Sequence, residues 1–301
     1  MTANINDILT AAQIAQVRRK SNLRGLWCVA CQWGITITIF AVTALFPNPA
    51  TIAVGTLLLG GRQLGFFVLT HECGHRSLFK SSGLNRFVET WLLSPADFSN
   101  GKSYMREHLE HHRSVGQASD PDLNNYQDYP ITRERLRRKL KRDLRGQTGW
   151  RTLSFKLRAI ANLDQQTPED KAALLRGVVI NLAMLITMAA FGVTWLYLMW
   201  IAAMIFVYPT IARIRQIAEH ADVPQLTSPD PRKNTRTLYA NPLVRLLICP
   251  HGVNYHIEHH LLASAPIYRL ATMHRWLKQN DYYEGVTFSR GYISLLKRVT
   301  I

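Results

Sequence analysis

Eight of the eleven histidines in this 301-residue chain fall into three clusters: His71 and His75 in HECGH, His108, His111 and His112 in HLEHH, and His256, His259 and His260 in HIEHH. On a helix, residues at i, i+3 and i+4 share a face, so each cluster offers two or three imidazoles to a common centre. A lone histidine on a helix is an ordinary structural residue; the same spacing in three places is a metal-ligand inventory. Imidazole suits zinc, copper, iron and nickel, so ligand type alone does not name the metal. Ligand number narrows it. A tetrahedral site takes about four ligands, and eight imidazoles are twice that, which predicts two ions. Cys73 lies between His71 and His75 on a different helical face, so the set is all nitrogen and argues against an iron–sulfur cluster. Two irons that bind dioxygen fit best.

Elements must bring the clusters together, and the hydropathy pattern says which. The chain is 47% hydrophobic and 19% charged with mean hydropathy −0.06, values that imply apolar blocks alternating with polar ones. Leu26 to Phe46 and Thr51 to Thr70 are separated by Pro47-Asn48-Pro49-Ala50, and Ala172 to Phe191 and Val193 to Ile211 join around Gly192. Each block has about the 20 residues that a helix needs to cross a bilayer. The sequence therefore predicts an all-α integral membrane protein, one domain over 1–301, with four transmembrane helices in two hairpins.

Charge orients the hairpins. Neither tip carries Lys or Arg, whereas Arg18, Arg19, Lys20 and Arg24 precede the first block, and Arg133 to Arg158 holds eleven basic residues against two acidic ones. Positive residues stay on the cytoplasmic side, which places both termini and segments 1–25, 71–171 and 212–301 there. All three histidine clusters then lie on one side and can share one site in a helical cytoplasmic cap. Leu136, Leu140 and Leu144 recur at i+4 in the basic stretch, as in an amphipathic helix on an anionic membrane surface. The net charge of +16 is accounted for beside the spans and implies no nucleic-acid partner. It also suits an acidic electron carrier. No cleavable signal peptide is expected before the first block, whose opening residues are polar, and Cys28, Cys31, Cys73 and Cys249 are not expected to form a disulfide framework; the C-x-x-C of Cys28 and Cys31 lies inside an apolar span.

HECGH followed by RSLF, then HLEHH, then NYHIEHH ahead of LLASAPIYRL, resembles the membrane fatty acid desaturase and hydroxylase superfamily, in particular its acyl-lipid desaturases. The resemblance extends from the first hairpin to the last box. It implies that the eight box histidines hold a di-iron centre and that His220 is a ninth ligand. It also implies that Gln216, four residues earlier, contacts the metals through water. By the same resemblance oxygen is the expected co-substrate and a lipid acyl chain the expected substrate, and the implied chemistry is attack on an unactivated C–H bond that ends in a double bond or, in the alternative, in hydroxylation or another oxygenation (ketolase, decarboxylase) of a lipid, alkane or carotenoid. The third box starts with His256 instead of Gln and no HPGG haem segment occurs, so electrons are expected from a separate ferredoxin-like or cytochrome-type donor with its reductase. One departure is Leu261-Leu262-Ala263, where many members continue with Phe-Pro.

Other residues keep two readings at this stage. Asp120 and Asp122, in Ser-Asp-Pro-Asp-Leu, either hold the outer nitrogen of a ligand imidazole or cap the next segment. Glu219 either orients a ligand histidine or is an exposed helix-end carboxylate. Arg62, nine residues before His71, either meets a substrate carboxylate or pairs with Gln32, Asn181 or a carbonyl. His251 is expected on a turn in a supporting role, and His274 on the surface of a polar helix. A metal transporter would need ionisable residues spread through several spans, and within them only Arg62 and, near the start of the third block, Arg176 are charged.

Overall fold

A computed structural model describes residues 4–289 and 291–301. Among these residues the chain is helical, with isolated bridges at Ile131–Thr300 and Leu238–Ser289 in place of strands. In chain order the elements that matter are α1 (Ala11–Arg18), α2 (Asn22–Leu45), α3 (Pro49–Gly74), α4 (Gly101–Ser114), α5 (Arg133–Leu144), α6 (Gln147–Ala161), α7 (Pro168–Ala190), α8 (Leu196–Ala202), α9 (Tyr208–His220), α10 (His256–Leu261), α11 (Ile267–Gln279) and α12 (Tyr292–Arg298). A π-helical turn, Ala203–Val207, welds α8 to α9.

Four runs are long and apolar enough to cross a membrane: α2, α3, α7 and Leu196–His220. They match the expected blocks and overrun each of them at one end at least, although the fourth starts three residues later than expected, at Leu196. Asn48 caps α3 through its side-chain oxygen, which accepts from the Ala50 and Thr51 amides, and Pro49 occupies the first helical position. The turn is therefore shorter than expected. At the other end, α3 continues beyond Thr70 through His71 to Gly74, and α9 continues beyond Ile211 to His220. Hydropathy marks only the lipid-matched part of a helix; the polar end turns carry the ligands.

Two cores result. One lies among the spans, around Trp200, Phe66, Leu59 and Leu69. The other joins the ends of α3 and α9 to the segments near Tyr126, Leu238, Ile257, Met273 and Leu295. The residues before α10 reach deep toward α3 on one side and α2 packs against it on another, and a glycine makes room for each. A Cβ on Gly61 would meet the Leu246 and Leu247 carbonyls at 2.8 and 2.9 Å, and one on Gly65 would meet the Gln32 amide oxygen at 2.2 Å.

Candidate metal centre

The end of α3 supplies His71, and His75 follows as its C-cap. Helix α4 is capped by Asn100 and presents His108, His111 and His112; α10 presents His256, His259 and His260, and α9 ends on His220. These nine imidazoles converge in two groups. His71, His75, His108, His112 and His259 form one, and His111, His220 and His260 form the nucleus of the other. His256 joins the second, its Nε2 lying 2.9 Å from that of His220 and 3.1 Å from that of His260. In the first group, His108 Nε2 lies 2.8 Å from His71 Nε2 and 3.0 Å from the Nε2 atoms of His75 and His112.

These short nitrogen contacts carry chemical information. His71 Nδ1 donates to Glu72 Oε1 at 3.2 Å, His111 Nδ1 to Asp120 Oδ1 at 2.9 Å, and His220 Nδ1 to the Asn234 carbonyl at 3.1 Å. With the proton assigned to Nδ1 by those partners, each Nε2 keeps a lone pair. Lone pairs aimed at one another repel unless a cation sits among them. Two nitrogens bound at about 2.1 Å and at right angles on one ion would stand about 3 Å apart, the spacing the rings adopt. The donor set therefore fits two resident cations.

Electrostatics agree. Burial is the largest cause lowering the affinity of His75 and His112 for protons, and the neighbouring rings add to it at His112. His75 falls to about 4 and His112 to about 2. His108, His256, His259 and His260 are driven well below the ordinary histidine value, again by burial first and then by adjacent histidines. Neutral imidazole is the ligating form.

The residues with two readings separate clearly. Asp120 is buried and, besides His111, accepts the Tyr126 hydroxyl and the Gly116 amide. Burial alone would raise its carboxyl, but the hydrogen bonds from His111 and Tyr126 outweigh it and hold the value down at about 2. Asp122 is 4.0 Å from His111 Nδ1 with its side chain 44% exposed, and contributes its backbone N–H to Asp120 instead. Glu219 is buried, not exposed: it accepts from Arg215 Nε at 2.7 Å and lies 3.6 Å from His256 Nδ1. Gln216 lines a cavity of about 230 Å³ with Gln63, Asn125, Tyr208 and Arg213, and its amide bonds to none of the imidazoles.

Arg62 takes the structural pairing. Its Nη2 donates to the Leu246 carbonyl and its Nη1 reaches Gln32 Oε1 at 3.5 Å, while Gln32 Nε2 donates back to the Arg62 carbonyl at 2.8 Å. Asn181 is committed elsewhere, to the Pro95 carbonyl and Tyr197. His251 sits on a short 3-10 turn, as expected, with Nε2 3.1 Å from Gln32 Oε1.

The surface position expected for His274 does not hold. Its ring is buried, 6% exposed, and its Nδ1 donates to Glu258. The flanking Arg275 and Lys278 made α11 look polar all round, but Leu270, Met273, His274 and Leu277 lie on its buried face. Two carboxylates inside the boxes also escaped the sequence reading. Glu258 accepts the hydroxyls of Thr237, at 2.6 Å, and Tyr283 as well as His274. Glu72 accepts the Ser77 hydroxyl at 2.8 Å and the Ile267 amide at 2.9 Å, which ties the first box to α11. The available signal was an acid placed directly beside a ligand in HECGH and HIEHH.

Comparison with known proteins identifies the family. A family model described as fatty acid desaturase matches residues 47–292. Three curated relatives carry the name sn-1 oleoyl-lipid 12-desaturase. The one from Synechocystis sp. is 29% identical over 243 residues, 73% of this chain and 66% of the relative. Those from Picosynechococcus sp. and Anabaena variabilis are 24% and 25% identical, covering 87% and 95% of this chain and 78% and 84% of their own lengths.

Proposed function

This chain belongs to the fatty acid desaturase family, and from that premise we propose that it is an oxygen-dependent di-iron oxidoreductase that inserts a double bond into the acyl chain of a membrane lipid. The observation that carries the reading is the convergence of nine imidazoles in groups of five and four, with Nδ1 of His71, His111 and His220 hydrogen-bonded outward. His71, His75, His108, His112 and His259 would hold one iron, and His111, His220, His256 and His260 the other. The bound irons would supply activation of dioxygen for oxidation of an unactivated C–H bond.

The chain's own contribution is placement. Glu72, Asp120 and the Asn234 carbonyl fix ring orientation through Nδ1, and Glu219 stands beside the Nδ1 of His256. Burial of His71, His108, His111, His220, His256 and His259 limits the access of water to the reaction. Gln216, one turn before His220 and facing a cavity, is proposed to reach the centre through water. An acyl ester of a glycerolipid is the substrate class that the relatives' names favour. Charge asymmetry supports a cytoplasmic cap with both termini on that side, where a ferredoxin-like or cytochrome-type donor and its reductase would deliver electrons.

The test is lipid mass spectrometry of a heterologous host expressing the chain with a donor system. Acyl chains lacking two hydrogens at a single position are expected. A product carrying an added oxygen would replace desaturation with the hydroxylase reading, which the same ligand set accommodates. Purified protein should carry two irons per chain.

A further inference from the structure

Away from the metal centre, the start of the first span forms an open, strongly basic recess. Arg18, Arg19, Lys20, Ser21, Asn22 and Lys80 line a cavity of about 550 Å³. Two segments remote in sequence build it. Asn22 Oδ1 accepts the Lys80 amide at 2.9 Å and the Ser81 amide at 3.2 Å, and the Tyr268 hydroxyl accepts the Ser21 amide at 2.8 Å. The recess is thus a fixed feature and not a loose basic tail.

Its charges are unbalanced. Among the described residues, no carboxylate lies within ion-pair distance of Arg18, Arg19, Lys20 or Lys80, nor of the nearby Arg24 and Arg269. Arg24 instead stacks over the Tyr268 ring at 5.7 Å. Burial, followed by the neighbouring Arg24 and Arg19, lowers the Arg269 guanidinium, a sign that these cations crowd one another. Immediately along α2, Leu23, Leu26 and Trp27 are 79%, 46% and 70% exposed, on a helix whose apolar face has no protein partner there. Cations above and bare apolar side chains below match the two ends of an anionic phospholipid, and an aromatic ring at this level suits the headgroup boundary.

We propose that this recess binds the headgroup phosphate of an anionic phospholipid, whose acyl tails lie along Leu23 and Trp27. The apolar face directly beneath the cations favours a lipid over a soluble anion or an acidic protein. The site is independent of the redox reading, since none of its residues touches the imidazoles.

The experiment uses the full-length chain in neutral detergent, titrated with phosphatidylglycerol or phosphatidylcholine and read by native mass spectrometry. The comparison variant is R18Q/R19Q/K20Q/K80Q. Wild type should retain phosphatidylglycerol over phosphatidylcholine, and the variant should bind phosphatidylglycerol at least about tenfold more weakly with phosphatidylcholine unchanged. Far-UV circular dichroism checks that the variant is folded, and R18K/R19K/K80R should keep the binding. Equal retention of phosphatidylglycerol by wild type and quadruple variant overturns the proposal. So does displacement of the lipid by inorganic phosphate at about 50 mM, which would make the ligand a soluble ion. A variant with unchanged lipid retention but a raised KM for an acidic electron carrier would assign the recess to a protein partner instead.

Discussion

The two halves of the candidate metal centre are built differently. In the five-nitrogen group, only His71 has its outer nitrogen bonded to another residue among those described, and the rings are placed chiefly by the register of α3, α4 and α10. In the four-nitrogen group, His111 and His220 are held through Nδ1 by Asp120 and Asn234, and His256 lies beside Glu219. Helix spacing alone can aim an imidazole where several rigid helices meet. His220, the last residue of α9, has its aim fixed from outside by the Asn234 carbonyl, whereas His75, the C-cap of α3, is placed without such a partner among the described residues.

The largest effects are expected where one ring contacts most of its group. His108 lies near His71, His75 and His112, so His108→Ala should reduce turnover to background and lower iron content while the spans keep their helicity. Iron analysis and circular dichroism check this; His260→Ala, in the nucleus of the other group, should behave alike. Full activity in both variants would break the shared-centre reading.

Asp120→Ala sharpens the contrast between the halves. Loss of the His111 partner should weaken metal retention about 10–100-fold with less effect on folding than the ligand changes have on activity. Iron titration of the purified variant measures it. Equal retention by variant and wild type would mean that the second group, like the first, is aimed by helix register alone. A pH check accompanies it. The folded value near 2 lies below the free value of 3.8, so the carboxylate's contribution is fully present above about pH 4 and is lost as pH falls through about 2. Activity lost between pH 7 and 5 would have to come from other groups.

A smaller effect is expected outside both groups. His274→Ala would leave Glu258, fully buried inside the third box, with two hydroxyl donors and no imidazole. Thermal unfolding should show destabilisation of about 1–3 kcal/mol, with partial recovery in His274→Gln. A silent His274→Ala would return this residue to an ordinary surface role.

The boxes and the spans were legible because both obey periodicities that survive in one dimension: i, i+3, i+4 for the ligands and about 20 apolar residues for a bilayer. Glu258 and His274 were not, because they are sixteen residues apart in sequence and meet only through the packing of α10 on α11. The same holds for Asn234, whose carbonyl carries no side-chain signature at all. His220 came from resemblance, since a lone histidine at a helix end has no spacing to betray it. The helix ends were misjudged for a related reason: the ligand-bearing turns of α3 and α9 are polar, so hydropathy stops before the helices do.

Arg62 tests whether the spans themselves take part in recognition. Its guanidinium is 3% exposed and committed to the Leu246 carbonyl and to Gln32, which in turn meets His251. The residue therefore fastens the segment before the third box to α2 and α3. A charge at this depth is tolerated because protein dipoles surround it, and removing it exposes a carbonyl that has no water to turn to. Arg62→Gln should consequently reduce the yield of folded, iron-loaded protein several-fold, by about 1–3 kcal/mol of stability, while the surviving enzyme makes the same products in the same ratios. Fluorescence-detected size-exclusion chromatography gives the first quantity and acyl-chain mass spectrometry the second. A changed product distribution at normal yield would move Arg62 from scaffold to substrate contact, and would extend the functional site well below the imidazoles into the membrane-spanning core.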